Sequence, residues 1–145
     1  MPWLTRQRKT TALNKVGPNE WALARDIIYH SPVSGFVYEI KEGYLTDLAS
    51  IPWFYRWRFK PDGPWWDESI LHDILYGAEF HSRGTCDEVF KHALLNDSKV
   101  GGFRARVFYA AVRLGGGAVW SKHTGHTVSY AREYLNPVPA DSYFQ

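Results

Sequence analysis

The residues best suited to chemistry fall on one strip of a single segment. At roughly 100° per residue, Ser69, His72, Asp73 and Tyr76 share a helix face opposite Ile70, Leu71, Ile74, Leu75 and Ala78. A surface strip is ordinarily filled with Lys and Glu. A hydroxyl, an imidazole, a carboxylate and a phenol can instead move protons or hold a metal. The competing reading is packing, with His72 and Tyr76 under an aromatic loop and Asp73 satisfying a backbone donor. Asp87 falls in the first turn of the next helix, where the helix dipole favours a carboxylate. Antiparallel packing across the short link 79–84 would carry Asp87 towards His72. A carboxylate on one imidazole nitrogen orients the ring and raises its basicity, leaving the other nitrogen to activate water. His72, Asp87 and Tyr76 are therefore the catalytic candidates. Asp73 and Asp47 are the candidate ligands for a divalent metal such as calcium. Asp47, in Thr46-Asp47-Leu48-Ala49-Ser50-Ile51-Pro52, also suits an Asx- or ST-type turn.

These residues need elements to place them, and the pattern predicts an α+β chain: a small antiparallel β-meander followed by a three-helix cluster. Residues 1–20 read as an extended N-terminal arm, residues 21–120 as one α+β domain and residues 121–145 as a C-terminal tail. Trp21, Leu23, Ile27 and Tyr29 read as one strand, Phe36, Tyr38 and Ile40 as a second, and Tyr44–Thr46 as a short third. The first helix is predicted over Asp67–Ala78. The second starts from a capping box with Thr85 as N-cap and Glu88 reaching back. The third runs from Phe103 to Leu114, is apolar around most of its circumference and so is expected to be central. Gly115-Gly116-Gly117 is expected to end it. Between strands and helices, residues 46–65 carry prolines and a run of aromatics: Trp53, Phe54, Tyr55, Trp57 and Phe59. Loops hold so many aromatics when they fold over a core or meet a partner. Trp53, Phe54, Tyr55 and Trp57 are the candidate interaction residues.

Composition removes several classes of function. A formal charge of +2 is too balanced to argue for specific nucleic-acid binding. Cys86 is the only cysteine, so no intrachain disulfide supports the fold, and its place on an apolar stripe marks it as inert. No stretch approaches the roughly 20 apolar residues of a membrane span. Walker-type loops, dinucleotide glycine patterns and zinc cysteine sets are absent from the sequence. Aromatic content of 17% is high, which suits either a small core of large side chains or aromatic surface kept for a partner.

Taken in order, Thr46–Pro52, then His72-Asp73-Ile74-Leu75-Tyr76, then Asp87 with Phe90, then Tyr109-Ala110-Ala111-Val112-Arg113 with Gly115, resemble the small phage and prophage proteins grouped as domain of unknown function 1353. The resemblance spans roughly residues 35–120 and implies a phage origin without supplying a function. A looser likeness is to phospholipases A2, which carry a His-Asp pair on a helix, a Tyr after it and an Asp on the partner helix. That likeness implies His72 as general base, Asp73 as calcium ligand and Asp87 as the orienting partner. The disulfides and the glycine-rich calcium loop of those enzymes are absent from this sequence.

Two functions of different kinds follow as expectations. The first is a phage structural or host-interaction protein, made in the host cytoplasm and associated with the virion or its tail. It would dock on other virion proteins or host envelope components through its aromatic loop and terminal arms. The second is a metal-assisted hydrolase of lipid or cell-wall material using the His-Asp site. They separate on one structural point: whether His72 and Asp87 touch, and whether that pair opens to solvent.

Overall fold

The computed structural model describes residues 3–5, 13–17, 20–46, 66–96 and 101–145. Strands come first: β1 (Trp3–Thr5), β2 (Leu13–Gly17), β3 (Glu20–Leu23), β4 (Ile27–Ser31), β5 (Phe36–Ile40) and β6 (Leu45–Thr46). Helices follow: α1 (Trp66–Ala78), α2 (Arg83–Asn96), α3 (Gly102–Ser121) and α4 (Gly125–Tyr134), then β7 (Leu135–Pro139) and a short α5 (Ala140–Tyr143). The chain is α+β, an antiparallel meander followed by a helical cluster.

The strands form two antiparallel sheets, one ordered β1-β4-β5-β7 and the other β2-β3-β6. The β4–β5 hairpin pairs Ile27 with Ile40 and Tyr29 with Tyr38, all four buried in the core. Gly35, at φ +76°, makes the turn, and its N–H donates to the Ser31 carbonyl at 2.9 Å. The expected single strand from Trp21 to Tyr29 is two strands in different sheets. Arg25 and Asp26 are an exposed bend between them, and the Asp26 carboxylate accepts the Glu42 N–H at 2.8 Å. The described parts of the expected N-terminal arm are edge strands: β1 pairs with β4 and β2 with β3. Backbone pairing does not need an apolar sequence, so polar composition alone concealed them.

Helix α1 lies at the centre. Its predicted stripe of Ile70, Leu71, Ile74, Leu75 and Ala78 is fully buried, and Glu68, Ser69, His72 and Tyr76 on its other faces are buried as well. Helix α3 was expected in that position, yet it buries only Ala105, Phe108, Val112 and Gly116. It also continues through Gly115-Gly116-Gly117 to Ser121 instead of ending there. Close approach explains the middle glycine. A Cβ at Gly116 would stand 3.1 Å from Cε2 and Cζ of Tyr76 and closer still to its hydroxyl. Helix α2 begins before the expected Thr85. The Ser82 side chain accepts the Thr85 N–H at 3.3 Å, so Ser82 takes the capping role assigned to Thr85.

The expected C-terminal tail is a further correction. Thr124 and Thr127 form a reciprocal capping box that starts α4, with Thr at the position where Glu or Gln is usual. Helix α4 packs on α1, and Arg132 donates from Nε to the Ala78 carbonyl at 2.7 Å, satisfying the end of α1. Strand β7 then pairs with β5, placing Pro137 opposite Tyr38 and Pro139 opposite Phe36. Prolines are tolerated there because β7 is an edge strand.

The contrast between neighbouring glycines is testable. Gly116→Ala overpacks the Tyr76 contact and is expected to lower stability by about 1–3 kcal/mol in urea unfolding. Gly115 is exposed with nothing within 4 Å of its would-be Cβ. Gly115→Ala should therefore raise stability by about 0.5–1 kcal/mol.

Candidate functional site

The helix pair α1 and α2 brings His72 and Asp87 together as their spacing suggested. Nε2 of His72 lies 2.7 Å from Oδ1 of Asp87. The Tyr76 hydroxyl, one turn further along α1, donates to the same oxygen at 2.8 Å. The other carboxylate oxygen is held by Arg113 of α3, whose Nη1 donates at 2.7 Å. Arg83 approaches Oδ2 at 3.6 Å from one turn earlier on α2 and donates to the Tyr76 hydroxyl at 3.3 Å. Asp87 is thus the acceptor for groups from α1 and α3 while belonging to α2. The His72 ring also packs against Tyr76 and Phe90, with centroids 4.3 Å and 4.5 Å away.

The centre of this assembly is sealed: His72 and Asp87 are both 0% exposed, while the side chains of Arg83 and Arg113 reach solvent. Burial alone would push the Asp87 carboxyl up, because a desolvated anion is costly. The hydrogen bond and charge of His72, with the hydrogen bonds from Tyr76 and Arg113, outweigh that and hold it below the usual carboxylate range. Burial pushes the Tyr76 phenol far up, so Tyr76 is a permanent donor. The Cys86 thiol, beside them on α2, is pushed up to about 12, first by burial and then by the Asp87 charge, in keeping with an inert side chain.

Asp73 faces elsewhere. Its Oδ2 accepts the Tyr44 hydroxyl at 3.1 Å and the Thr46 hydroxyl. It lines a cleft of about 710 Å³ between β6, α1 and α4, together with Thr46, Tyr130, Lys122, His123 and His126. Tyr76 divides the two regions: it lines the cleft, while its hydroxyl belongs to Asp87. The strip of Ser69, His72, Asp73 and Tyr76 is therefore split, with His72 in the sealed cluster and Asp73 on the cleft. Asp47, Trp53, Phe54, Tyr55 and Trp57 lie outside the described residues. Among the described residues, no group of three or more His, Cys, Asp or Glu is gathered as for a metal ion.

Sequence reasoning did not join the two arginines to Asp87. Arg83 stands four residues before Asp87 on one helix, a spacing at which opposite charges meet, so that signal was present. Arg113 arrives from a helix 26 positions away and left no local sign of its partner. It shares its face of α3 with Tyr109, whose hydroxyl donates to Glu88 at 2.8 Å. Tyr109 and Arg113 thus both meet acidic side chains of α2.

The protein-family model described as "Protein of unknown function (DUF1353)" matches residues 21–112, and the chain belongs to that family. No curated protein and no solved structure matches the chain. The match takes in His72, Asp73, Tyr76, Asp87 and most of α3, and stops one residue short of Arg113.

Removing the buried acceptor should be costly. Asp87→Asn leaves two partly exposed arginines facing a neutral amide and is expected to lower stability by about 1.5–3 kcal/mol in chemical denaturation at neutral pH. The pH dependence has a definite sign. A carboxyl whose folded pKa is depressed contributes stability above its unfolded value of about 3.9, lost as pH falls through the folded value. The difference between native protein and Asp87→Asn should therefore shrink on acidification below about pH 4. A difference independent of pH would contradict an ionised Asp87.

Proposed function

We propose that the chain is a phage-encoded structural or host-interaction protein, associated with the virion or its tail, and that the His72–Asp87 cluster braces its core. The observation that carries this reading is the complete burial of both residues. A general base must reach a proton on its substrate, and a ring with no exposed surface, enclosed by Tyr76 and Phe90, reaches none in this conformation. A sealed, hydrogen-bonded carboxylate joining three helices suits an internal brace.

Docking on other virion proteins or host envelope components falls to the surface. The sequence places Trp53, Phe54, Tyr55 and Trp57 in one connection, a density of large aromatics typical of interface centres. Phe144, just beyond α5 at the C-terminus, is exposed. The hydrolase alternative keeps one supporting observation, Asp73 on the wall of a cleft of ligand size.

Purified particles of the encoding phage should contain this chain at a constant copy number by quantitative mass spectrometry, and its consistent absence from particles would remove the structural reading. In parallel, Asp73→Asn, which keeps the side-chain size, should leave infectivity unchanged. A folded Asp73→Asn protein that abolishes lipid or peptidoglycan turnover would move the function to the cleft.

A further inference from the structure

We infer that the outward face of α3 is a membrane-surface contact, seating on anionic lipid headgroups. Helix α3 is apolar on two opposite faces. One packs Ala105, Phe108, Val112 and Gly116 against the protein. The other sets Phe103, Val107, Ala110, Leu114 and Ala118 in a stripe about 80° wide at helical spacing. Phe103 is 81% exposed and Leu114 is 89% exposed, eleven residues and three turns apart on the same line. A helix apolar all round belongs in a larger apolar environment, so the second face calls for something to cover it.

The charges choose the occupant. Arg106 flanks one side of the stripe, where the neighbouring Arg113 is committed to Asp87, and Arg104 and Lys122 flank the other. The helix has no Asp or Glu between Gly102 and Ser121. An apolar stripe between two basic rails is the composition of a helix lying in a membrane interface, where the stripe enters the acyl boundary and the cations meet anionic headgroups. A second copy of the same face would set basic rail against basic rail, so charge disfavours self-association through it. The described helices contain no span long and apolar enough to cross a membrane, so the contact is at the surface. The inference rests on α3 and its flanking cations alone, and it stands whether or not the chain is a virion component.

The test is co-sedimentation of the full chain with phosphatidylglycerol vesicles and with phosphatidylcholine vesicles, at low and high salt. The native protein should bind the anionic vesicles at least tenfold better than the neutral ones, and high salt should weaken that binding. Phe103→Ser combined with Leu114→Ser removes the stripe from exposed positions. Arg106→Glu combined with Lys122→Glu reverses one charge on each rail. Each pair should cut binding at least tenfold while circular dichroism stays native. If one pair fails to fold, the other carries the comparison, and Phe103→Ala alone gives a milder third variant. No binding to anionic vesicles overturns the inference, as does binding that folded variants retain. Sedimentation that shows a native dimer dispersed by the stripe variants assigns the face to a second copy and also overturns it.

Discussion

An ionised carboxylate inside a protein is tolerated only when its oxygens are fully engaged, and that requirement at Asp87 organises the helical half of this chain. Asp87 sits on α2, takes His72 and Tyr76 from α1 on one oxygen and takes Arg113 from α3 on the other. To deliver Arg113, α3 must approach closely enough that Tyr76 meets Gly116 without a side chain between them. The glycine run that looks like a helix terminator is instead the place where two helices touch. Arg83 extends the same cluster to the backbone of α3, donating to the carbonyls of Val112 and Arg113 at 3.3 and 3.4 Å.

The cluster and the cleft divide the polar groups of α1 between two roles. His72, turned towards α2, is enclosed, packing against Tyr76 and Phe90 and bonding Asp87. Asp73, the next residue, turns towards the second sheet, where Tyr44 and Thr46 fix its carboxylate on an open wall. A His-Asp pair adjacent in sequence is thus separated in space, because neighbours on a helix point roughly 100° apart. His72 accordingly has no exposed surface, whereas Asp73 stands on the cleft wall. Among the described residues, the open surfaces include that cleft and the outward face of α3.

Much of this was legible in the sequence, and the misses have physical causes. The apolar stripe of α1 and the meeting of His72 with Asp87 follow from helical spacing and a short link. What spacing does not reveal is which face of a helix the rest of the chain will cover. Helix α3 looked central because it is apolar nearly all round, yet Phe103 and Leu114 stand in the open while polar-faced α1 is enclosed. Residues 121–145 looked like a tail because they are polar and contain prolines. Their order comes from a Thr-Thr capping box, from Arg132 bonding to the end of α1, and from an edge strand that tolerates proline. None of these leaves an apolar period. Arg113 could not be matched to Asp87 from sequence, since tertiary packing alone brings them within reach.

The charge state of Asp87 tests this account most directly. Carbon-detected NMR of the native protein can follow the Asp87 side-chain carboxyl through an acid titration. A midpoint below about 3.9, the value for an unperturbed Asp, is the predicted result for an anion held by His72, Tyr76 and Arg113. A midpoint at or above that value would mean that burial prevails over its partners, and Asp87 would not be the charged centre on which the three helices converge.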